Sequence, residues 1–69
     1  MPYASNEELP DSVQSVLPPR AQDIFREAFN NAWGEYGGEE SRAFRVAWAA
    51  VKREYAKDPF GRWVHSKPR

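Results

Sequence analysis

The chain contains no cysteine, and only one histidine and one methionine among its 69 residues. Without cysteine it can form neither a disulfide nor a thiolate metal site, so it must fold by side-chain packing alone. The absence also agrees with a reducing compartment. No apolar run approaches the ~20 residues that a membrane-spanning helix needs, and the N-terminal segment lacks the basic and apolar regions of a signal peptide. We therefore expect a cytoplasmic protein that does not span a membrane.

Residues and motifs typical of catalysis are also scarce. The sequence has no Gly-x-Ser-x-Gly elbow and no glycine-rich phosphate loop, and its one histidine, His65, lies close to the C-terminus. Carboxylates are plentiful, but a small helical domain offers no deep cleft that would shift their pKa values. We expect no enzymatic activity, no catalytic residues and no cofactor.

A metal site has only weak support. Glu35, Glu39 and Glu40 flank Gly37-Gly38 and could offer oxygen ligands to a hard cation. Their spacing does not match an EF-hand loop, which places acids at alternating positions and ends in a bidentate glutamate. The interpretation that we favour is a solvated turn whose acids stabilise the start of the next helix.

The spacing of apolar residues predicts three helices. The first is short, presents Leu9, Val13, Val16 and Leu17 on one face, and ends at Pro18-Pro19. The second runs from about Arg20 to Tyr36 and stops at Gly37-Gly38, where one glycine can adopt the left-handed cap conformation. The third begins between Glu39 and Ser41 and runs to about Lys57.

A small ribbon of two strands is predicted beside these helices. Asp58-Pro59-Phe60-Gly61 is typical of a β-turn, with proline second and glycine fourth. The following Arg62–His65 could form a brief strand, and its natural partner would be Met1–Ala4. The predicted fold is thus mainly α: a compact three-helix domain over residues 1–69, with a two-stranded β ribbon formed by the N- and C-terminal segments and a flexible tail at 66–69.

The charges are divided unevenly, although the net charge is zero. Residues 1–41 hold eight acids and two bases, and residues 42–69 hold eight bases and two acids, so the halves carry −6 and +6. One interpretation is that the two halves complement each other within the molecule. The other is that the second half presents a basic face to an anionic partner.

The third predicted helix has two distinct faces. Its apolar stripe, at helical spacing, should turn inward: Phe44, Ala47, Trp48, Val51 and Tyr55. The opposite face carries arginines with small side chains between them, which would allow a close approach to a phosphate backbone. The alternative is a solvated face partly covered by the first helix or the tail. The candidate partner-binding residues are Arg42, Arg45, Val46, Ala49, Arg53, Arg62 and Lys67.

Several segments together carry a family resemblance. They are Met1-Pro2-Tyr3, Leu9-Pro10-Asp11-Ser12-Val13, Val16-Leu17-Pro18, Ala21-Gln22-Asp23-Ile24, Ala28-Phe29-Asn30-Asn31-Ala32-Trp33 and Val46-Ala47-Trp48-Ala49-Ala50-Val51-Lys52-Arg53-Glu54-Tyr55-Ala56-Lys57. By their order and spacing the chain resembles the ChaB family, named for regulation of a cation/proton antiporter. The chain departs from the family pattern between the second and third helices, where its connection looks shorter.

The resemblance implies three helices with a small sheet, and it brings no catalytic residues with it. It also implies a role near cation transport. We expect a small monomeric regulatory protein that contacts a protein partner, which the resemblance indicates is the cytosolic surface of a cation/proton antiporter. The alternative is a nucleic-acid-binding accessory protein that uses the basic face of the third helix and the C-terminal segment.

Overall fold

The computed structural model describes residues 3–66. A 3₁₀ turn at Asn6–Glu8 is followed by three helices and two strands. These are α1 (Asp11–Gln14), α2 (Pro19–Glu35), α3 (Glu40–Glu54), β1 (Tyr55–Lys57) and β2 (Trp63–His65). The predicted fold of three helices and a two-stranded sheet is confirmed.

Aromatic rings join α2 to α3. Phe25 and Phe29 are fully buried on α2, and their rings lie 5.1 Å from Trp48 and 5.0 Å from Phe44 respectively, measured between centroids. As the residue number rises along α2 it falls along α3, so the two helices are antiparallel. The edge-to-face geometry of both contacts is the arrangement that aromatic pairs prefer. The core therefore lies between these two helices.

Small and branched side chains complete the core. Alanines at the helix contact let the backbones approach, and α1 with its flanks covers one end. The buried set is Leu9, Val13, Leu17, Ala21, Phe25, Phe29, Ala32, Ala43, Ala47, Val51 and Tyr55. The sequence pattern had indicated Val16 and Tyr36 as part of the apolar faces, but both are about 40% exposed, because α1 ends at Gln14 and Tyr36 lies beyond the last turn of α2.

The ends of α2 follow the predicted signals. Pro19 occupies its first turn, where a missing N–H costs nothing. At its other end Gly37 and Gly38 have φ values of 68° and 83°, and the Gly38 N–H donates to the Trp33 carbonyl at 2.8 Å. This hydrogen bond closes a Schellman motif with Gly37 at the left-handed cap position, as predicted for one of the two glycines. Gly38 also has a positive φ.

The partner of the C-terminal strand differs from the prediction. Tyr55–Lys57, expected to finish the third helix, leaves it and pairs antiparallel with Trp63–His65. The connecting Asp58–Gly61 turn is confirmed by a 2.9 Å hydrogen bond from the Gly61 N–H to the Asp58 carbonyl. Closing this short loop costs less entropy than joining the two ends of the chain.

The N-terminal segment is held by a side chain instead of a strand. The Tyr3 N–H donates to Asn30 Oδ1 at 2.9 Å, and Asn30 Nδ2 donates to the Tyr3 carbonyl at 2.8 Å. The Tyr3 ring lies 4.8 Å from the Phe29 ring. One amide on α2 thus satisfies the backbone groups that a neighbouring strand would otherwise have paired. Of the predicted strand Met1–Ala4, the first two residues lie outside the described part, as does the predicted tail beyond Ser66.

We predict that Asn30→Ala destabilises the protein by about 1–3 kcal/mol, because two partly buried backbone groups of Tyr3 lose their partner. Asn31→Ala is the matched control, since Asn31 is exposed on the same helix and the gain in helix propensity is the same. Urea unfolding measures both variants. Equal stability of the two would mean that Asn30 does not anchor the N-terminal segment.

Candidate partner-binding surface

Three of the predicted partner-binding residues come together on α3. Val46, Ala49 and Arg53 line one wall of a groove of about 390 Å³. The other wall is the exposed edge of α2. We call this surface the α2/α3 groove, and its residues are Ala28, Asn31, Ala32, Glu35, Val46, Ala49, Ala50 and Arg53.

The groove has an apolar floor and charged ends. Alanines and Val46, which is 36% exposed, form the floor. Because the helices are antiparallel, Glu35 at the end of α2 and Arg53 at the end of α3 lie at opposite ends of the groove. The surface therefore offers small apolar side chains between an acid and a base.

The other predicted residues lie outside the groove. Arg42 is held by Glu39, whose Oε1 is 3.3 Å from the Arg42 Nε, and its guanidinium carbon lies 4.9 Å from the centre of the Tyr36 ring. Arg45 is exposed on α3, and Arg62 belongs to the loop between the strands. Lys67 lies outside the described residues.

Sequence reasoning missed the α2 wall of the groove. Ala28 and Ala32 fall in the apolar arc of the second helix and were assigned to the core. Asn31 and Glu35 stand at i and i+4 on its polar side, which places them on one face. That spacing was the available signal, but only the rotation of α2 against α3 shows that this face borders Val46.

A second surface lies where the strands meet α3. Trp63 packs on Trp48 with 5.6 Å between ring centroids, and the Lys57 Nζ lies 5.9 Å from the centre of the Trp63 ring. Two shallow hollows, of about 430 and 320 Å³, share Lys52, Lys57 and Trp63 in their walls. We call this surface the hairpin face, and its residues are Val16, Trp48, Lys52, Lys57, Gly61 and Trp63.

The turn above the hairpin face depends on Asp58. Its Oδ1 accepts hydrogen bonds from the backbone N–H groups of Arg62 at 2.8 Å and Phe60 at 2.9 Å. Its Oδ2 lies 3.4 Å from the Arg62 Nε. The backbone N–H of Arg62 contributes most to lowering the pKa of Asp58 below its ordinary value of 3.8, and the N–H of Phe60 and the Arg62 charge act in the same direction.

The pKa of Tyr3 is also shifted, and the described residues meet neither the requirements of a metal site nor those of a membrane-spanning helix. Burial, and then the charge of Glu40, raises the pKa of Tyr3, which agrees with its packing against Phe29. Within residues 3–66, no three His, Asp or Glu side chains gather closely enough to hold a metal ion. Over the same range, each helix is too short or too polar to traverse a lipid bilayer.

Comparison with known proteins decides the family. The family profile described as ChaB matches residues 9–66. The chain belongs to the ChaB family. A relative from Escherichia coli (strain K12), named "Putative cation transport regulator ChaB", is 50% identical over 76 positions, which cover 97% of this chain and 99% of the relative. A relative of the same name from Shigella flexneri has the same identity and coverage.

A solved ChaB structure agrees with this fold. The NMR structure titled as that of the putative cation transport regulator ChaB superposes with a TM-score of 0.85 at 45% identity. It covers 96% of this chain and 100% of the solved one. The alignment with the E. coli relative has 76 positions and this chain has 69 residues, so the relative has residues at positions where this chain has none. ChaB proteins therefore share this helical frame while differing in length.

We predict that the turn titrates with a midpoint below pH 3.8, the ordinary pKa of Asp58. The pKa of Asp58 is lower in the folded than in the unfolded chain, so the ionised carboxylate contributes its full stabilisation at pH values above the unfolded pKa. This contribution is lost as pH falls through the folded-state pKa. The amide chemical shifts of Phe60 and Arg62 report the midpoint by NMR.

Asp58→Asn is the control for this titration, because asparagine keeps an oxygen acceptor but does not ionise. The low-pH shift change at both amides should disappear in this variant. A midpoint at or above the ordinary value in the wild-type protein would show that the turn does not stabilise the carboxylate.

Proposed function

We propose that this chain is a non-enzymatic regulator of cation transport that binds, through the α2/α3 groove, a helix on the cytosolic surface of a cation/proton antiporter. The observation that carries the proposal is the exposed apolar floor of the groove between Glu35 and Arg53. The name of the curated relatives supports a role in cation transport.

The shape of the groove favours a helical partner. A row of alanines lets a second helix come close, since helices pack by placing the ridges of one in the grooves of the other. Alanine side chains, of which Ala49 is exposed, have no rotamer entropy to lose on binding. A hydrophobic centre with a polar rim is also the usual anatomy of a protein interface.

The charged ends of the groove select the orientation of the partner. Glu35 favours a basic end of the bound helix, and Arg53 favours an acidic end. Complementary charges of this kind fix the register of a complex more than they raise its affinity. The partner of this groove is therefore an amphipathic helix with small apolar residues along one face and opposite charges at its ends.

The alternative, nucleic-acid binding through the basic residues of α3 and the C-terminal segment, has less support. Glu39 pairs with Arg42, so an acid already holds one of the candidate phosphate contacts. Arg45, Arg53 and Arg62 remain exposed, but three arginines supply few of the phosphate contacts from which affinity for nucleic acid arises.

We predict that Ala49→Glu abolishes association with the antiporter, because a larger charged side chain then occupies the floor of the groove. Ala49 is exposed, so the fold should survive, and circular dichroism checks this. Ala4→Glu is the matched control, since Ala4 is also exposed but lies in the N-terminal segment, outside the groove and the hairpin. Co-purification of the full chain with the antiporter measures binding, and growth under cation stress measures regulation.

Association that is unchanged in Ala49→Glu would contradict the role of the groove. Deletion of the gene with no change in cation tolerance, together with no association by the wild-type chain, would contradict the proposed function itself.

The nucleic-acid alternative predicts affinity for DNA or RNA that falls steeply with added salt. A titration of the purified chain separates the two functions. No binding at ~50 mM salt, where phosphate contacts are strongest, eliminates the alternative. Salt-dependent binding that weakens in Arg45→Gln and Arg53→Gln would establish it instead.

A further inference from the structure

Phe60 stands out from every other apolar side chain that the structure describes. It is 84% exposed at the tip of the turn between β1 and β2, whereas the next most exposed large apolar residue, Val64, is 43% exposed. The turn itself requires Pro59, Gly61 at φ 83° and the Asp58 acceptor. The aromatic ring of Phe60 adds nothing to that geometry, so its role is to be sought in contact with another surface.

The charges around this tip are predominantly positive on the outside. The Arg62 side chain is 77% exposed, whereas that of Asp58 is 16% exposed. Asp58 directs one oxygen to backbone N–H groups and the other to Arg62. Lys57 precedes the turn and Lys52 lies below it on α3. The tip of the turn therefore presents an exposed phenyl ring flanked by cationic side chains, while the carboxylate of the turn, Asp58, is largely buried.

Trp63 adds an amphipathic ring at the base of the hairpin. It is partly buried against Trp48 and lies beside Lys57. Tryptophan is enriched at the level of lipid headgroups, where one side of the ring meets apolar chains and the other meets water. Lysines beside such a ring extend their amines to anionic headgroups.

We propose that the hairpin is a membrane-surface anchor, in which Phe60 enters the headgroup layer of an anionic bilayer while Lys57, Arg62 and Lys52 pair with lipid phosphates. A protruding apolar tip suits penetration between headgroups, whereas single-stranded nucleic acid is bound along grooves lined with stacking platforms. The anchor lies outside the α2/α3 groove, and it needs no transport protein, so it stands independently of the proposed function.

The test uses the purified full chain and sedimentation with vesicles of two compositions. One contains equal parts of phosphatidylglycerol and phosphatidylcholine, and the other contains phosphatidylcholine alone. We expect binding to the anionic vesicles that weakens with added salt, and little binding to the neutral ones. Phe60→Ala should lower the partition coefficient by about tenfold, and Arg62→Gln should lower it by about fivefold.

Matched variants elsewhere on the molecule control for loss of apolar surface and of charge. Val46→Ala removes exposed apolar area from the groove. Arg42→Gln removes a positive charge near the start of α3, twelve residues before Glu54 and about 18 Å from it along the helix. Both should bind anionic vesicles as the wild type does. All four variants alter exposed side chains, and thermal unfolding followed by circular dichroism confirms that they fold.

Three results would overturn the anchor. The first is no sedimentation of the wild-type chain with anionic vesicles at low salt. The second is equal binding by wild type and Phe60→Ala. The third is a loss in Phe60→Ala of affinity for single-stranded DNA but not for vesicles, which would assign the hairpin to nucleic acid. Vesicle binding that is unchanged in Val46→Ala and Arg42→Gln supports the anchor.

Discussion

The packing of aromatic rings between α2 and α3 is the interaction on which the rest of the molecule depends. Phe25 and Phe29 are fully buried, and Ala43 and Ala47 of α3 are buried in the same core. A chain of this length buries a small fraction of its surface compared with larger domains, and it has no covalent staple. The other elements then attach to this pair of helices: Tyr3 through Phe29, and β2 through Trp48.

The helical part of this arrangement could be predicted because its signals are local. Apolar spacing identified the inward residues of α2 and α3, and Pro19 and Gly37-Gly38 marked the ends of α2. The Asp58–Gly61 turn followed from the positions of proline and glycine. In each case the residues that carry the signal are the ones that form the structure, so no knowledge of distant contacts was needed.

Pairing between distant segments could not be predicted in the same way. Tyr55 continues the apolar stripe of α3 and is buried as that stripe requires, yet its backbone is extended at φ −127° and ψ 153°. The spacing of apolar residues indicates which side chains are buried, but it does not indicate whether the backbone at those residues is helical or extended. Likewise, the α2/α3 groove depends on the rotation of one helix against another. The pattern of α3 predicted that Val46, Ala49 and Arg53 share one face. It gave no reason to expect that Glu35 of α2 lines the same groove.

The hydrogen bonds between Asn30 and the backbone of Tyr3 bear on the order in which the chain folds. Most elements pack against neighbours in sequence, which is the topology of fast-folding helical proteins. The Tyr3–Asn30 contact instead spans 27 residues, and its loop cannot close before α2 exists to present the amide. We therefore expect the N-terminal segment to dock after α2 has formed, and to be among the first parts to detach in local unfolding. In that opened state Phe29 loses one of the rings packed on it, while its contact with Phe44 and the contact of Phe25 with Trp48 remain.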